Sequence, residues 1–178
     1  MPLVTLEIWG WRNAMPIFSS ERSRGRQEET YMFKNILVPT DGSDLAAKAV
    51  EQAVLLAKEI GAKITAVTVT EPFPAHLASV ASNELEYAPI EYINHARAYA
   101  ETVLGTVSAA ANSAGVACEV LHVEHGQIYQ AIIDAASAKN CDLIVMASHG
   151  RRGVSAVVLG SETVKVLTHS KIPVLVYR

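Results

Sequence analysis

Two short segments of the chain hold residues whose types and spacing suit the binding of a phosphate. The first is PTDGS at residues 39–43, and the second extends from Ala147 to Ser161; each follows an apolar run. Gly150 lets a ligand approach the backbone closely, and a helix that begins at Ser161 presents unpaired N–H groups and a partial positive charge. The Ser161 hydroxyl adds a donor, and Asp41 could then hydrogen-bond to the sugar of a nucleotide.

A simpler interpretation of the same residues is structural. The glycines would only make turns, and the Ser161 side chain would only cap its helix. Arg151 and Arg152 could be phosphate partners or solvated loop charges. The spacing alone leaves these alternatives open.

Sites of other kinds find little support in the sequence. The chain has neither the Gly-x4-Gly-Lys-Ser/Thr loop of P-loop ATPases nor Gly-x-Gly-x-x-Gly after its first strand. His122 and His125 have no evident third metal ligand, and no Ser-His-Asp arrangement can be found around His149. Cys118 and Cys141 are expected to be buried small apolar residues. We therefore expect no catalytic residue and no metal ligand among the side chains.

The apolar pattern predicts five strands that alternate with four helices. Residues 46–60 have clear helical spacing, with Ser43 able to cap the start and Gly61 able to end the helix. Residues 70–88 form a long connection. The predicted strands are 36–38, 63–69, 116–123, 142–147 and 174–177, and the other predicted helices are about 89–114, 127–139 and 161–170.

This alternation indicates an α/β fold of the Rossmann-like type. The strands are continuous apolar runs, as expected when helices cover both faces of a parallel sheet. We predict an open, doubly wound five-stranded parallel sheet of order 3-2-1-4-5 with helices on both faces. Strands 1 and 4 are then neighbours where the topology reverses, and ligands bind outside the carboxyl ends of the strands at such a reversal. The segments 39–43 and 147–161 should meet there.

The composition limits the class of protein. The chain has 178 residues, of which 50% are apolar and 19% charged, enough for a sizeable core in one domain with an appendage. A net charge of -3 and a pI near 6.1 argue against nucleic-acid binding. No apolar run reaches the roughly 20 residues of a membrane helix, and two isolated cysteines suit a reducing compartment. We expect a cytoplasmic protein that binds neither nucleic acid nor membranes.

The chain changes character near residue 31. Residues 1–31 hold both tryptophans, the arginine-rich stretch 22–26 and no lysine, and they lack the pattern of a signal peptide. We expect 1–31 to be a poorly ordered extension or an over-long translation start, with a targeting or partner-binding tail as the alternative. Residues 32–178 form the predicted domain.

Residues 32–178 resemble the universal stress proteins over their whole length. The resemblance is carried by KNILVPTDGS at 34–43, by DLIVMASHGRRG at 142–153 with the following LGS, and by IPVLV near the end. Nucleotide-binding members of this family carry Gly-x2-Gly-x9-Gly-Ser/Thr. This chain has Ala147-x2-Gly150-x9-Gly160-Ser161, with alanine at the first glycine position.

The resemblance implies a site for ATP, alone or with Mg²⁺. Asp41 would contact the ribose or adenine side of the nucleotide, and the Val69 backbone would meet the adenine edge. Pro39 and Thr40 would shape the wall next to Asp41. The other implied positions line the path of the ribose and phosphates or receive the phosphates: Met146, Ala147, Gly150, Gly160, Ser161 and the backbone of Glu162.

From these residues we expect a stress-response regulatory module that binds ATP or another adenine nucleotide. One alternative is a slow ATPase or nucleotidyl-transfer enzyme at the same site. The other is a module that binds no nucleotide and acts through dimerisation alone.

The last strand predicts a homodimer. In the order 3-2-1-4-5 the segment VLVY at 174–177 lies at a sheet edge with little charge to protect it. Antiparallel pairing with the same strand of a second copy would satisfy this edge, and family resemblance implies the same assembly. The alternative is that residues 1–31 cover the edge.

Overall fold

The apolar runs of the sequence form the strands of a parallel sheet, and the amphipathic segments form helices. The computed structural model of the chain describes residues 32–74, 88–150 and 159–178. Its strands are β1 (Asn35–Pro39), β2 (Lys63–Thr70), β3 (Cys118–Glu124), β4 (Leu143–Ala147) and β5 (Val174–Tyr177). Its helices are α1 (Asp44–Ile60), α2 (Ala88–Ser113), α3 (Ile128–Ala138) and α4 (Ser161–His169).

The strand order is β3-β2-β1-β4-β5, and each neighbouring pair is parallel. Ile36 of β1 is in register with Ile64 of β2 on one side and with Leu143 of β4 on the other. The predicted Rossmann-like topology is therefore confirmed. The carboxyl ends of β1 and β4 are adjacent where the chain reverses its direction of winding.

Local signals explain where α1 begins and ends. Ser43 is extended, with ψ 158°, and its side chain accepts a hydrogen bond from the Ala46 N–H at 3.2 Å. Gly61 ends the helix in the left-handed conformation, with φ 69°, and its N–H donates to the Ala57 carbonyl. Both roles follow from the sequence, because serine satisfies an unpaired N–H and glycine adopts positive φ without a steric penalty.

Helices cover both faces of the sheet. Ile36 and Val38 point to one face, where they pack with side chains of α1 and α2 such as Val50 and Leu104. Leu37 points to the other face, towards the layer formed by α3 and α4. The alternation of side chains along β1 thus divides the core into two layers.

The strand ends differ slightly from those predicted. β1 includes Pro39, although proline has no N–H to donate. The pairing of β1 with β4 extends only to Leu37–Ile144, so the missing N–H interrupts no hydrogen bond, and the next bond to β2 runs from the Thr40 N–H to the Val67 carbonyl at 2.9 Å.

Several predictions concern residues outside those described. They are the extension 1–31, most of the connection 70–88, and the two arginines Arg151 and Arg152. Among the described helices, none combines the length and apolar character needed to cross a membrane.

Candidate functional site

A cavity of about 590 Å³ lies at the carboxyl ends of β1, β2 and β4. It occupies the reversal in strand order, where the sequence predicted that two segments would meet. All the site residues named from the sequence line this cavity: Pro39, Thr40, Asp41, Val69, Met146, Ala147, Gly150, Gly160, Ser161 and Glu162.

Asp41 is held in a tight turn just beyond β1. Its Oδ1 accepts a hydrogen bond from the Ser43 N–H at 3.1 Å, and the Thr40 hydroxyl accepts one from the Gly42 N–H at 3.3 Å. The Thr68 hydroxyl donates to the Thr40 carbonyl at 3.1 Å, which fastens the turn to β2. This turn fixes a carboxylate at the edge of the cavity.

Gly150 faces the Asp41 carboxylate at very short range. A Cβ atom added to Gly150 would lie 2.4 Å from Asp41 Oδ2, closer than a van der Waals contact allows. The segments that follow β4 and β1 therefore meet in the cavity, and a side chain at residue 150 would displace the Asp41 carboxylate.

Hydrogen bonds join the two ends of the connection from β4 to α4. The Gly160 N–H donates to the Ser148 carbonyl at 2.8 Å, and the Thr163 hydroxyl donates to the Ala147 carbonyl at 3.1 Å. A Cβ atom on Gly160 would lie 3.2 Å from the His149 Cα, so a larger residue there would push against the backbone.

The start of α4 supplies backbone donors to the cavity. Its N-cap is Gly160, which makes no side-chain cap, so Ser161 is the first helical residue and not the cap. The structural alternative for Ser161 considered from the sequence is therefore wrong. The first N–H groups of a helix have no partner within the helix, and they carry its partial positive charge.

The Glu162 side chain is engaged with α3. Its Oε2 accepts a hydrogen bond from the Tyr129 N–H at 2.9 Å, and its Oε1 pairs with the Lys165 Nζ at 2.7 Å. The carboxylate thereby caps the first turn of α3, whose own N-cap residue Gln127 offers no side-chain bond. The Glu162 carboxylate is paired with the Tyr129 N–H and with Lys165. The first turn of α4 can therefore present its backbone N–H groups to an anion although it contains an acidic residue.

Alanine fits where the nucleotide-binding motif has its first glycine. Ala147 is only 7% exposed and packs against Ala46 and Ala49 of α1. The only non-glycine residue with positive φ in the described part of the chain is Asn140, so Ala147 is free of backbone strain. Its methyl group is part of the core between β4 and α1.

Four residues of α2 that the sequence did not indicate line the same cavity. They are Tyr92, His95, Ala96 and Tyr99. The spacing i, i+3, i+4, i+7 places these four residues on one helical face. That spacing was the available signal, but nothing local in the sequence shows that this face meets the cavity rather than solvent.

Charged groups in the described lining are mainly acidic. Asp41, Glu71 and Glu162 are carboxylates, and His95 and His149 are the imidazoles. His149 Nδ1 lies 3.1 Å from the hydroxyl of Ser148, a buried residue that is not part of the cavity lining. Within the three described ranges, no group of three or more His, Cys, Asp or Glu side chains could hold a metal ion.

The two cysteines lie away from this cavity lining. Cys141 is buried and Cys118 is half-buried, and burial raises the pKa of both thiols above the ordinary value. A raised pKa means less thiolate at neutral pH, so these residues behave as small apolar side chains.

The chain matches known proteins across the described domain. The family model "Universal stress protein family" matches residues 32–178. A universal stress protein of Thermus aquaticus is 33% identical over 147 residues, which cover 83% of this chain and 100% of that protein. Among solved structures, a member of the family from Burkholderia pseudomallei is 27% identical with a TM-score of 0.65, covering 82% of this chain and 96% of that one.

A universal stress protein solved in complex with cAMP also shares the fold. It is 24% identical, with a TM-score of 0.60, and the match covers 82% of this chain and 97% of that one. The family match spans every described strand and helix. This chain belongs to the universal stress protein family.

Proposed function

We propose that the cavity binds an adenine nucleotide, with ATP as the first candidate, and that the protein uses the bound nucleotide as a regulatory signal in a stress response. The observation that carries this proposal is the meeting of the Asp41 carboxylate and the first turn of α4 in one cavity. A carboxylate accepts hydrogen bonds from sugar hydroxyls, and a helix start binds phosphate. A nucleotide carries both groups.

The size and apolar lining of the cavity support the same ligand. About 590 Å³ lies within the range of roughly 300–1,000 Å³ that small-molecule sites occupy. Val69, Ile128 and Met146 give part of the lining an apolar character suited to a planar base. The relative solved with cAMP has the same fold, and at 24% identity it supports the fold alone, so the ligand proposed here depends on the cavity.

Each lining residue has a role in this proposal. Asp41 would bind the ribose hydroxyls, and the backbone at the end of β2, at Val69, would meet the adenine edge. Any Mg²⁺ would arrive with the phosphates, since the described side chains offer no metal cluster. The remaining proposed contacts are the wall formed by Pro39, Thr40, Met146, Ala147 and Gly150, and the phosphate site formed by Gly160, Ser161 and the Glu162 backbone.

Calorimetric titration with ATP tests the site. Asp41→Ala removes the carboxylate, and Gly160→Val pushes a side chain towards the His149 backbone. We expect each variant to weaken binding by about 1–3 kcal/mol, the cost of an unmade buried polar contact. Asp134→Ala is the matched control, because Asp134 is exposed on α3, lies outside the cavity lining and accepts a hydrogen bond from Gln130 of the same helix.

Wild-type affinity in both cavity variants would place the nucleotide elsewhere. Mass spectrometry of nucleotide that co-purifies with the protein would separate nucleotide binding from a role in dimerisation alone. Turnover of added ATP with Mg²⁺ would favour the enzymatic alternative, a slow ATPase or nucleotidyl transferase, over a regulatory module.

A further inference from the structure

We propose that Tyr99 of α2 is a positioning residue, whose hydroxyl fixes the Asp41 backbone and so orients the Asp41 carboxylate towards the ribose of a bound nucleotide. This inference rests on the proposed function, because it assigns to Tyr99 a part in ribose recognition. It predicts that Tyr99 affects the recognition of sugar hydroxyls and not the binding of the base or phosphates.

The first observation is a direct contact between two distant parts of the chain. The Tyr99 hydroxyl donates a hydrogen bond to the Asp41 carbonyl. β2 holds the chain up to Thr40, whose N–H donates to the Val67 carbonyl and whose carbonyl accepts from the Thr68 hydroxyl. The next carbonyl, that of Asp41, is held by Tyr99 of α2.

The second observation is that α2 packs tightly on the turn. Gly42 has a φ of 69°, and a Cβ atom there would lie 2.9 Å from the Tyr99 Oη and 2.8 Å from a Val103 methyl carbon. No space separates the helix from the turn. The position of α2 therefore determines the position of the Asp41–Gly42 peptide.

The third observation concerns the carboxylate itself. Its Oδ1 is fixed by the Ser43 N–H at 3.1 Å, and its Oδ2 faces Gly150 across a gap that would not admit a methyl group. A rotation of the Asp41 peptide would move both oxygens. The Tyr99 hydrogen bond acts on that peptide, one residue from the glycine whose left-handed conformation gives the turn its shape.

Thr106 provides a matched comparison on the same helix. It lies about two turns after Tyr99, it is exposed, and its hydroxyl also donates to a backbone carbonyl, that of Thr102, at 3.1 Å. Thr106 is not part of the cavity lining, and the Thr102 carbonyl is not part of the turn that holds Asp41. Thr106→Val therefore removes the same chemical group without affecting the carboxylate.

The test compares ATP with 2′,3′-dideoxy-ATP by calorimetric titration of the full chain. In Tyr99→Phe we expect affinity for ATP to fall about tenfold, the loss of roughly one ordinary hydrogen bond, and affinity for the dideoxy nucleotide to stay at the wild-type value. Thr106→Val should bind both nucleotides as the wild type does. In an Asp41→Asn background, Tyr99→Phe should cause no further loss, because the two residues act as one unit.

Amide hydrogen exchange provides a readout that needs no nucleotide. The Ser43 N–H bonds to Asp41 Oδ1, so it should exchange faster in Tyr99→Phe than in the wild type or in Thr106→Val. Unchanged exchange at Ser43 would overturn the inference even if affinity changed. Equal losses for ATP and the dideoxy nucleotide would overturn it as well, since Tyr99 would then only shape the cavity.

The design distinguishes this inference from the proposed function. One outcome would show that only the inference is wrong: the wild type binds ATP, Asp41→Asn loses affinity for ATP, and Tyr99→Phe keeps that affinity. If the wild type binds neither nucleotide, or Asp41→Asn binds ATP as tightly as the wild type, the proposed function is wrong and the inference fails with it.

Discussion

Gly42 and Gly105 lack a side chain for opposite reasons. Gly42 has a φ of 69° and no room for a Cβ atom, whereas Gly105 is exposed within α2 and has no heavy atom within 4 Å of that position. Gly42→Ala should lower the free energy of unfolding by at least about 1–2 kcal/mol, the cost of a left-handed L-residue. Gly105→Ala should raise it by up to about 1 kcal/mol, the difference in helix propensity between glycine and alanine.

Urea denaturation of both glycine variants measures the two effects in one assay. The difference in sign is the decisive result, because both substitutions add one methyl group. A Gly42→Ala variant as stable as the wild type would mean that α2 can move away from the turn, which would also weaken the assignment of Tyr99.

At the scale of the elements, α3 and α4 are linked through one carboxylate. Glu162 lies in the first turn of α4 but caps α3 through the Tyr129 N–H. Glu162→Ala should lower the free energy of unfolding by about 0.5–2 kcal/mol, as the loss of a cap does. Glu162→Gln keeps an oxygen acceptor and should cost less, about 0.3–1 kcal/mol for the lost charge at a helix start.

Thermal unfolding monitored by circular dichroism compares these variants with Glu51→Ala. Glu51 is exposed on α1, so that control should stay within about 0.5 kcal/mol of the wild type. If Glu162→Ala matched Glu51→Ala, the cap on α3 would contribute nothing to stability.

Elements and their order could be predicted because their signals are local. Ser43 and Gly61 mark the ends of α1, and continuous apolar runs mark strands covered on both faces. The strand order then placed the segments after β1 and β4 together. Contacts across elements could not be predicted: the link from Tyr99 to Asp41 depends on how α2 packs, and the direction of the Glu162 side chain depends on where α3 begins.

For the whole molecule, we expect a homodimer through β5. The Ile144 N–H donates to the Pro173 carbonyl and the Ser148 N–H to the Tyr177 carbonyl, so the alternation along a parallel strand directs the backbone groups of Val174 and Val176 away from β4. This edge carries exposed apolar side chains, with Leu175 43% exposed. Antiparallel pairing with a second copy would satisfy these groups.

Light scattering at micromolar concentration measures this assembly. Val174→Pro removes an outward N–H and should give monomers. Val120→Pro is the matched control on the opposite edge strand, β3, where Val120 is 45% exposed, and it should leave the dimer intact. A monomeric mass for the unmutated protein would contradict the prediction.

The same measurement on a chain that starts at Met32 tests the domain boundary. We expect residues 1–31 to be dispensable, since the family match covers residues 32–178. The shortened chain should remain dimeric and keep its stability within about 0.5 kcal/mol. A large fall in melting temperature would show instead that the extension packs on the domain.

The hydrogen bond between the Gly160 N–H and the Ser148 carbonyl has a consequence for how this family can vary. It joins the two ends of the connection between β4 and α4 at 2.8 Å, so Ser148 and Gly160 lie side by side. The entropy lost on closing a loop grows only with the logarithm of its length, about 0.6 kcal/mol for each doubling. An insertion between Gly150 and Leu159 should therefore cost little free energy of unfolding, and the sheet and the Gly150–Asp41 contact would stay the same.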